Sequence, residues 1–183
     1  MTDPTTIEVD TFYPHPPAKV WRALTEPDLI AQWLMPGDFR LEVGHRYTMQ
    51  AKAVTATGFS GLVQAEVLSF EPEKSLTLGW RDAATATADA PTADGRTADG
   101  RTAEGPSADG RTADGPSAAG ATGAAVDWTL TWTLQAEGRG TRLFLLHEGF
   151  DPDDPLQQQA RTIMNGGWRT GVPRALGKLL DTL

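Results

Sequence analysis

Three histidines, His15, His45 and His147, are the residues of this 183-residue chain best suited to proton transfer or metal binding. They lie far apart and fall on different elements, so a shared metal site would need the fold to gather all three. The chain has no cysteine, which excludes thiol nucleophiles, disulfides and cysteine-bound zinc. No HExxH pair occurs, and no glycine-rich phosphate loop opens a helix. A GxSxG nucleophile elbow is also absent, because Gly58-Phe59-Ser60-Gly61 has the wrong spacing. Glu66 and Glu148 are the nearest approach to catalytic carboxylates, but strand alternation points both away from the core. No metal and no cofactor is expected.

His147 holds the most chemical interest. In the run Thr141 to Glu148 it shares parity with Leu143 and Leu145, so it faces the core side at the end of a strand. Two roles are open: a polar group that orients a ligand in an apolar pocket, or a hydrogen-bonded histidine capping a strand end. The opposite parity sends Phe144 and Leu146 outward, as a dimer contact, as surface packed under the insert, or as ordinary exposed apolar surface.

The elements that would position these residues follow from periodicity. Thr5 to Tyr13 alternates as a first strand. Pro17 suits the first turn of a helix that carries Val20, Trp21 and Leu24, and Thr25 to Asp28 resembles a capping box. Pro27 opens a second short helix with Leu29, Ile30 and Trp33 on one side. Period two then predicts strands at Phe39–Val43, Tyr47–Ala51, Phe59–Phe70 and Leu76–Trp80. Trp128, Leu130, Trp132 and Leu134 alternate with threonines as a sixth, and Thr141–Glu148 is a seventh. Pro155 to Leu180 has helical period, with Trp168, Val172, Leu176, Leu179 and Leu180 in one stripe. Pro173 inside that helix predicts a kink.

Between the fifth and sixth strands the composition changes. From Thr92 to Ala121 six copies of a five-residue unit run TADGR, TADGR, TAEGP, SADGR, TADGP, SAAGA. The biased stretch, residues 82–126, has almost nothing to bury and is expected to be a disordered insert within one domain spanning residues 1–183. Its period does not match the nine-residue unit of calcium-binding repeats. The formal net charge of the whole chain is −8, which argues against a nucleic-acid partner. No apolar run reaches the ~20 residues of a membrane span, and no signal peptide is visible, so a cytoplasmic protein is expected.

The segment PPAKVWRALTEPDLIAQWLMP, residues 16–36, resembles the N-terminal helices of the activator-of-heat-shock-protein-90-ATPase-like family (C-terminal-domain type). That family belongs to the SRPBCC superfamily, with the START-like and birch-pollen-allergen-like proteins. Gly61-Leu62-Val63 leading to Glu71-Pro72, then Leu78-Gly79-Trp80, then Gly140-Thr141-Arg142-Leu143 leading to His147-Glu148-Gly149, and Gly167-Trp168 continue the likeness. The resemblance implies an α+β helix-grip fold: a curved seven-stranded antiparallel sheet around a long C-terminal helix, enclosing an apolar cavity. Candidate walls of that cavity are Trp33, Met35, Phe39, Tyr47, Met49, Phe59, Trp80, Trp132, His147, Trp168 and Val172. Taken singly each reads as core packing; it is the group of large aromatics and methionines around a Gly- and Pro-broken helix that suggests a cavity. The implied partner is a small apolar molecule. Alternatives are a chaperone partner, self-association, or a cyclase- or hydrolase-like enzyme relying on His147 and Tyr47 in the same cavity.

Overall fold

The computed structural model describes residues 3–50, 61–82 and 128–183. Strand β1 (Thr6–Tyr13) leads into helices α1 (Pro17–Thr25) and α2 (Pro27–Trp33). Strands β2 (Arg46–Gln50), β3 (Leu62–Glu71), β4 (Ser75–Asp82), β5 (Trp128–Glu137) and β6 (Gly140–Glu148) follow. The chain ends in α3 (Pro155–Gly166), a π-helical turn (Gly167–Gly171) and α4 (Val172–Thr182). All strand pairs are antiparallel, in the order β1-β6-β5-β4-β3-β2. Among the described residues no helix is long and apolar enough to cross a membrane. The predicted insert, residues 82–126, lies outside the described residues except for Asp82, which closes β4.

Strand alternation sets the core. Ile7 on β1, Tyr47 and Met49 on β2, Val63, Ala65 and Val67 on β3, Leu76, Leu78 and Trp80 on β4 all point to one face. Trp128, Leu130, Trp132 and Leu134 on β5 continue it, with threonines between them facing out. Helices α1, α2 and α4 close this face with Val20, Trp21, Leu24, Leu29, Ile30, Trp33, Leu176, Leu179 and Leu180. Each large apolar side chain so buried contributes about 1.5–3 kcal/mol relative to exposure.

The two short helices follow from their prolines. Pro17 occupies the first turn of α1, where its missing N–H has no intrahelical partner to lose. Pro27 forces Glu26 into extended backbone, φ −91° and ψ 120°, which ends α1; the Glu26 carbonyl then accepts from Leu29 and Ile30 to begin α2. The expected capping box at Thr25–Asp28 does not form. The Thr25 hydroxyl instead donates back to the Trp21 carbonyl at 2.8 Å.

Among the described residues six strands replace the expected seven. Phe39–Val43 is not a strand: Phe39 is buried, Leu41 half-buried and Val43 61% exposed, so alternation fails. Local bonds take over that backbone. The Asp38 carboxylate accepts from the Thr48 N–H at 3.0 Å, Glu42 N–H donates to the Arg40 carbonyl, and His45 N–H to that of Glu42. Gly44, at φ +84°, then turns the chain into β2. The predicted start of the next strand at Phe59 lies outside the described residues.

Close approach of β6 to the end of β1 depends on Gly140. A Cβ there would collide with the Tyr13 carbonyl oxygen and with the ring edge of Phe12. Phe12 is half-exposed and can swing aside; the strand carbonyl cannot. Gly140→Ala is expected to cost about 1–3 kcal/mol, read as a fall in the urea midpoint. Gly79→Ala is the control, because its nearest neighbours would lie at 3.8 Å, an ordinary contact. Equal behaviour of the two variants would contradict the close approach.

Candidate functional site

The C-terminal helix divides into two unlike halves. In α4, Leu176, Leu179 and Leu180 are buried. In α3 no residue is buried. The side of α3 nearest the sheet carries Gln157, Gln158, Arg161 and Met164, all half-buried, while Leu156 and Ile163 are exposed. Polar bonds hold α3 in place. Asp154 caps it by accepting from the Leu156 N–H at 2.9 Å, and Arg161 Nε donates to the Thr6 carbonyl at 2.9 Å. Gln158 donates to the Pro4 carbonyl at 2.9 Å, and Gln157 accepts from Trp128 Nε1 at 3.4 Å.

Between the halves, the Val172 N–H reaches back five residues to the Gly167 carbonyl, which makes the turn a π turn. The turn comes immediately before Pro173, which has no N–H to give. The expected kink at Pro173 is therefore a widened turn ahead of it, and Pro173 sits in the first turn of α4. The Pro173 carbonyl accepts from the Tyr13 hydroxyl at 3.2 Å, fixing this point to the end of β1.

Trp168 projects from the π turn onto the inner face of the sheet. It is 5% exposed and meets Trp132, Trp80 and His147 with ring centroids 5.8, 6.0 and 6.0 Å away. Trp33 extends the chain of rings from α2, edge-on to Trp132 at 5.9 Å. The indole N–H of Trp168 donates to His147 Nδ1 at 3.1 Å. An indole nitrogen only donates, so Nδ1 carries no proton and His147 is a neutral ring protonated at Nε2. That Nε2 is buried and has no hydrogen-bond partner among the described residues.

Around His147 stand Ile7 on β1 and Leu130 on β5, its cross-strand neighbours. Phe150, Trp128 and Trp80 complete the box at 4.8, 5.7 and 6.4 Å. Burial among these groups pushes the His147 pKa down from 6.5 to about 3, because an imidazolium there would lose its water without gaining a counter-charge.

The other histidines are elsewhere. His15 pairs with Asp181 at 3.0 Å, and His45 contacts the Asp38 carbonyl at 2.9 Å and stacks on Tyr47. Tyr47, edge-on to Phe39, lies on β2, four strand spacings from His147 on β6, roughly 19 Å along the sheet. Burial raises the Tyr47 phenol well above its ordinary range. Tyr47 and His147 therefore do not form the pair that an enzyme in this cavity would need. Glu66 points outward as expected and pairs with Arg46 at 2.8 Å.

The expected wall residues are placed as follows. Trp33, Phe39, Tyr47, Met49, Trp80, Trp132, His147 and Trp168 are buried on the inner face; Met35 and Val172 pack half-buried against them; Phe59 is outside the described residues. Beneath α2, between Trp33, Phe39, Met49, Leu78 and Trp132, a void of about 20 Å³ remains, room for about one water. A larger open recess of about 610 Å³ lies against the outer face of β2–β5, where Thr48, Gln64, Glu66 and Thr129 present polar groups. Two residues of the aromatic box, Trp128 and Phe150, were not expected as site residues. Trp128 shares its parity with Leu130 and Trp132 and was legible. Phe150 follows Gly149, at φ +101°, outside any periodic run.

An antiparallel sheet closed by a long C-terminal helix, with aromatic residues from both meeting inside, defines a helix-grip domain. Residues 14–181 match the family described as activator of Hsp90 ATPase homolog 1-like protein, and the chain belongs to that family. Among solved structures it resembles protein MLL2253 from Mesorhizobium loti, with 29% identity over 97% of both chains and a TM-score of 0.65. DynU16, a protein of the dynemicin biosynthetic locus, matches at 19% identity and a TM-score of 0.62, over 99% of this chain and 48% of that one. Protein CV1439 from Chromobacterium violaceum matches at 18% identity and a TM-score of 0.59, over 98% and 99%. The last two share the fold. No curated protein matches the sequence.

Proposed function

We propose that the chain, a single domain carrying the repeat segment as an insert, binds a small, mainly apolar molecule between the inner face of the sheet and the C-terminal helix. The observation that carries this reading is the contrast between α3 and what it covers. Trp128, whose indole donates to Gln157 on α3, leads to the rings of Phe150 and His147; yet α3 itself buries no residue and is anchored by polar bonds beside the half-buried Ala160 and Met164. An element with few buried apolar contacts opens at low free-energy cost. Opening α3 exposes the aromatic surface beside Trp128 while Trp168 stays bonded to His147. A catalytic role has less support, since among the described residues Trp168 alone is a polar partner of His147.

Two measurements test the reading. Amide exchange is expected to be faster in Leu156–Gly166 than in Leu176–Thr182, and slowed by ligand. Thermal unfolding against a panel of lipids, polyketides and aromatic molecules is expected to shift for aromatic members, by ~2.7 kcal/mol of stabilisation at a hundredfold excess over Kd. Equal protection of both halves with no shift across the panel would end the proposal. A second reading is docking to a heat-shock ATPase, as the family's description suggests; Leu156 and Ile163, 72% and 47% exposed on α3, favour it. It predicts a change in the ATPase rate of an added Hsp90-type protein, abolished by Leu156→Ser with Ile163→Ser.

A further inference from the structure

We propose that the bound molecule carries an uncharged carbonyl group that accepts the Nε2–H of His147, so that His147 sets both the orientation of the ligand and its chemical class. The proposal rests on the reading that the interior takes a small molecule. Its carrying observation is the Nε2 of His147, fully buried and without a hydrogen-bond partner among the described residues. A buried donor left unmade costs on the order of a whole hydrogen bond, and folded proteins keep few of them.

The Trp168 indole settles what this nitrogen can do. By donating to Nδ1 at 3.1 Å it keeps the proton on Nε2, so the free nitrogen donates and does not accept. The site therefore selects for acceptors and against donors such as an alcohol proton or an amine. Charge selects further. Among the described residues the groups facing His147 are Ile7, Leu130, Trp80, Trp128, Phe150 and Trp168, with no cation among them. A carboxylate placed there would be desolvated without a counter-charge, whereas a ketone or aldehyde oxygen would lose little on leaving water. The four aromatic rings supply the matching surface for a flat, unsaturated body beside that oxygen. Ring faces can weakly accept an N–H, and such a contact is the competing account of the same geometry.

Three naphthalene probes of one shape separate these accounts: 2-acetonaphthone, 2-ethylnaphthalene and 2-naphthoate. Their affinities are measured by tryptophan fluorescence for the full chain and for His147→Phe. The intact protein is expected to bind 2-acetonaphthone about tenfold more tightly than 2-ethylnaphthalene, and 2-naphthoate no better than 2-ethylnaphthalene. In His147→Phe the ketone's advantage is expected to vanish while 2-ethylnaphthalene still binds. Equal binding of ketone and hydrocarbon by the intact protein would overturn the proposal and leave the apolar cavity standing. So would a ketone preference that survives His147→Phe. Binding of no probe would overturn the cavity reading and this inference together. If His147→Phe does not fold, the ¹⁵N-correlated Nε2–H resonance of the intact protein decides: a downfield shift with 2-acetonaphthone alone is the expected result, and the same response to 2-ethylnaphthalene is the overturning one.

Discussion

Acidification from pH 7 to pH 3 is expected to remove roughly 4–5 kcal/mol of folding stability through His147 alone. The sign follows from where the proton goes. In the unfolded chain His147 titrates near 6.5; in the folded chain burial lowers its pKa to about 3. Below pH 6.5 the unfolded state therefore takes up a proton that the folded state refuses. Stability contributed by the neutral ring is complete above pH 6.5 and is lost at about 1.4 kcal/mol per pH unit as pH falls toward 3. Among the described residues nothing offsets this, because every group packed on the ring is apolar or aromatic and the one hydrogen bond, from Trp168, requires the unprotonated Nδ1. The carboxyls held below their usual range, Asp3 and Asp38, act in the same direction but only below about pH 4. The window between pH 6.5 and 4.5 isolates His147. Urea unfolding at half-unit steps, for the intact protein and His147→Phe, is expected to show a steeper loss in that window for the intact protein. Parallel slopes would mean that His147 takes up its proton without unfolding.

Much of this site was legible before the fold was known. Alternation in Trp128–Leu134 and Thr141–Glu148 placed the tryptophans and His147 on one face, because a half-buried strand leaves an unambiguous period of two. The stripe Trp168, Val172, Leu176, Leu179, Leu180 likewise placed the helix. Three features were not legible, for separate reasons. Phe39–Val43 shows the right alternation over too few residues, and Asp38 and Gly44 at its ends favour local turns that claim the backbone bonds. A π turn has no period of its own; only the glycines and Pro173 hint at it, and they equally suggest a kink. The bond from Trp168 to His147 joins residues 21 apart on different elements, so no local pattern encodes it. The same holds for the apolar cavity that the resemblance implies: Trp168 stands among Trp80, Trp132 and His147, and side-chain direction at a π turn cannot be inferred from spacing.

Trp168→Ala tests that central position most directly and is expected to destabilise the fold by about 3–5 kcal/mol. Two losses combine. The cavity left by an indole among Trp80, Trp132 and His147 cannot close, because the three rings stand on adjacent strands whose spacing the sheet fixes. His147 Nδ1 also loses its only donor. Trp168→Phe separates the two, since it keeps most of the volume and removes only the donor; a cost of about 1–2 kcal/mol is expected there. The Ala variant should in turn accept free indole, which can refill the space and restore the bond, as apolar cavities of this kind bind small aromatic molecules. Recovery of stability should follow RT ln(1 + [L]/Kd), and indene, of the same shape without the N–H, should recover less. A loss below about 1 kcal/mol on Trp168→Ala, or no rescue by indole, would show that Trp168 does not occupy the centre. The same variant bears on ligand binding. Because the Trp168 indole keeps the proton on His147 Nε2 and is part of the surface the ligand rests on, 2-acetonaphthone should bind Trp168→Ala more weakly than the intact protein. If a ligand instead had to displace Trp168, removing the side chain would tighten binding. The direction of that one change decides whether Trp168 stands in for the ligand or receives it.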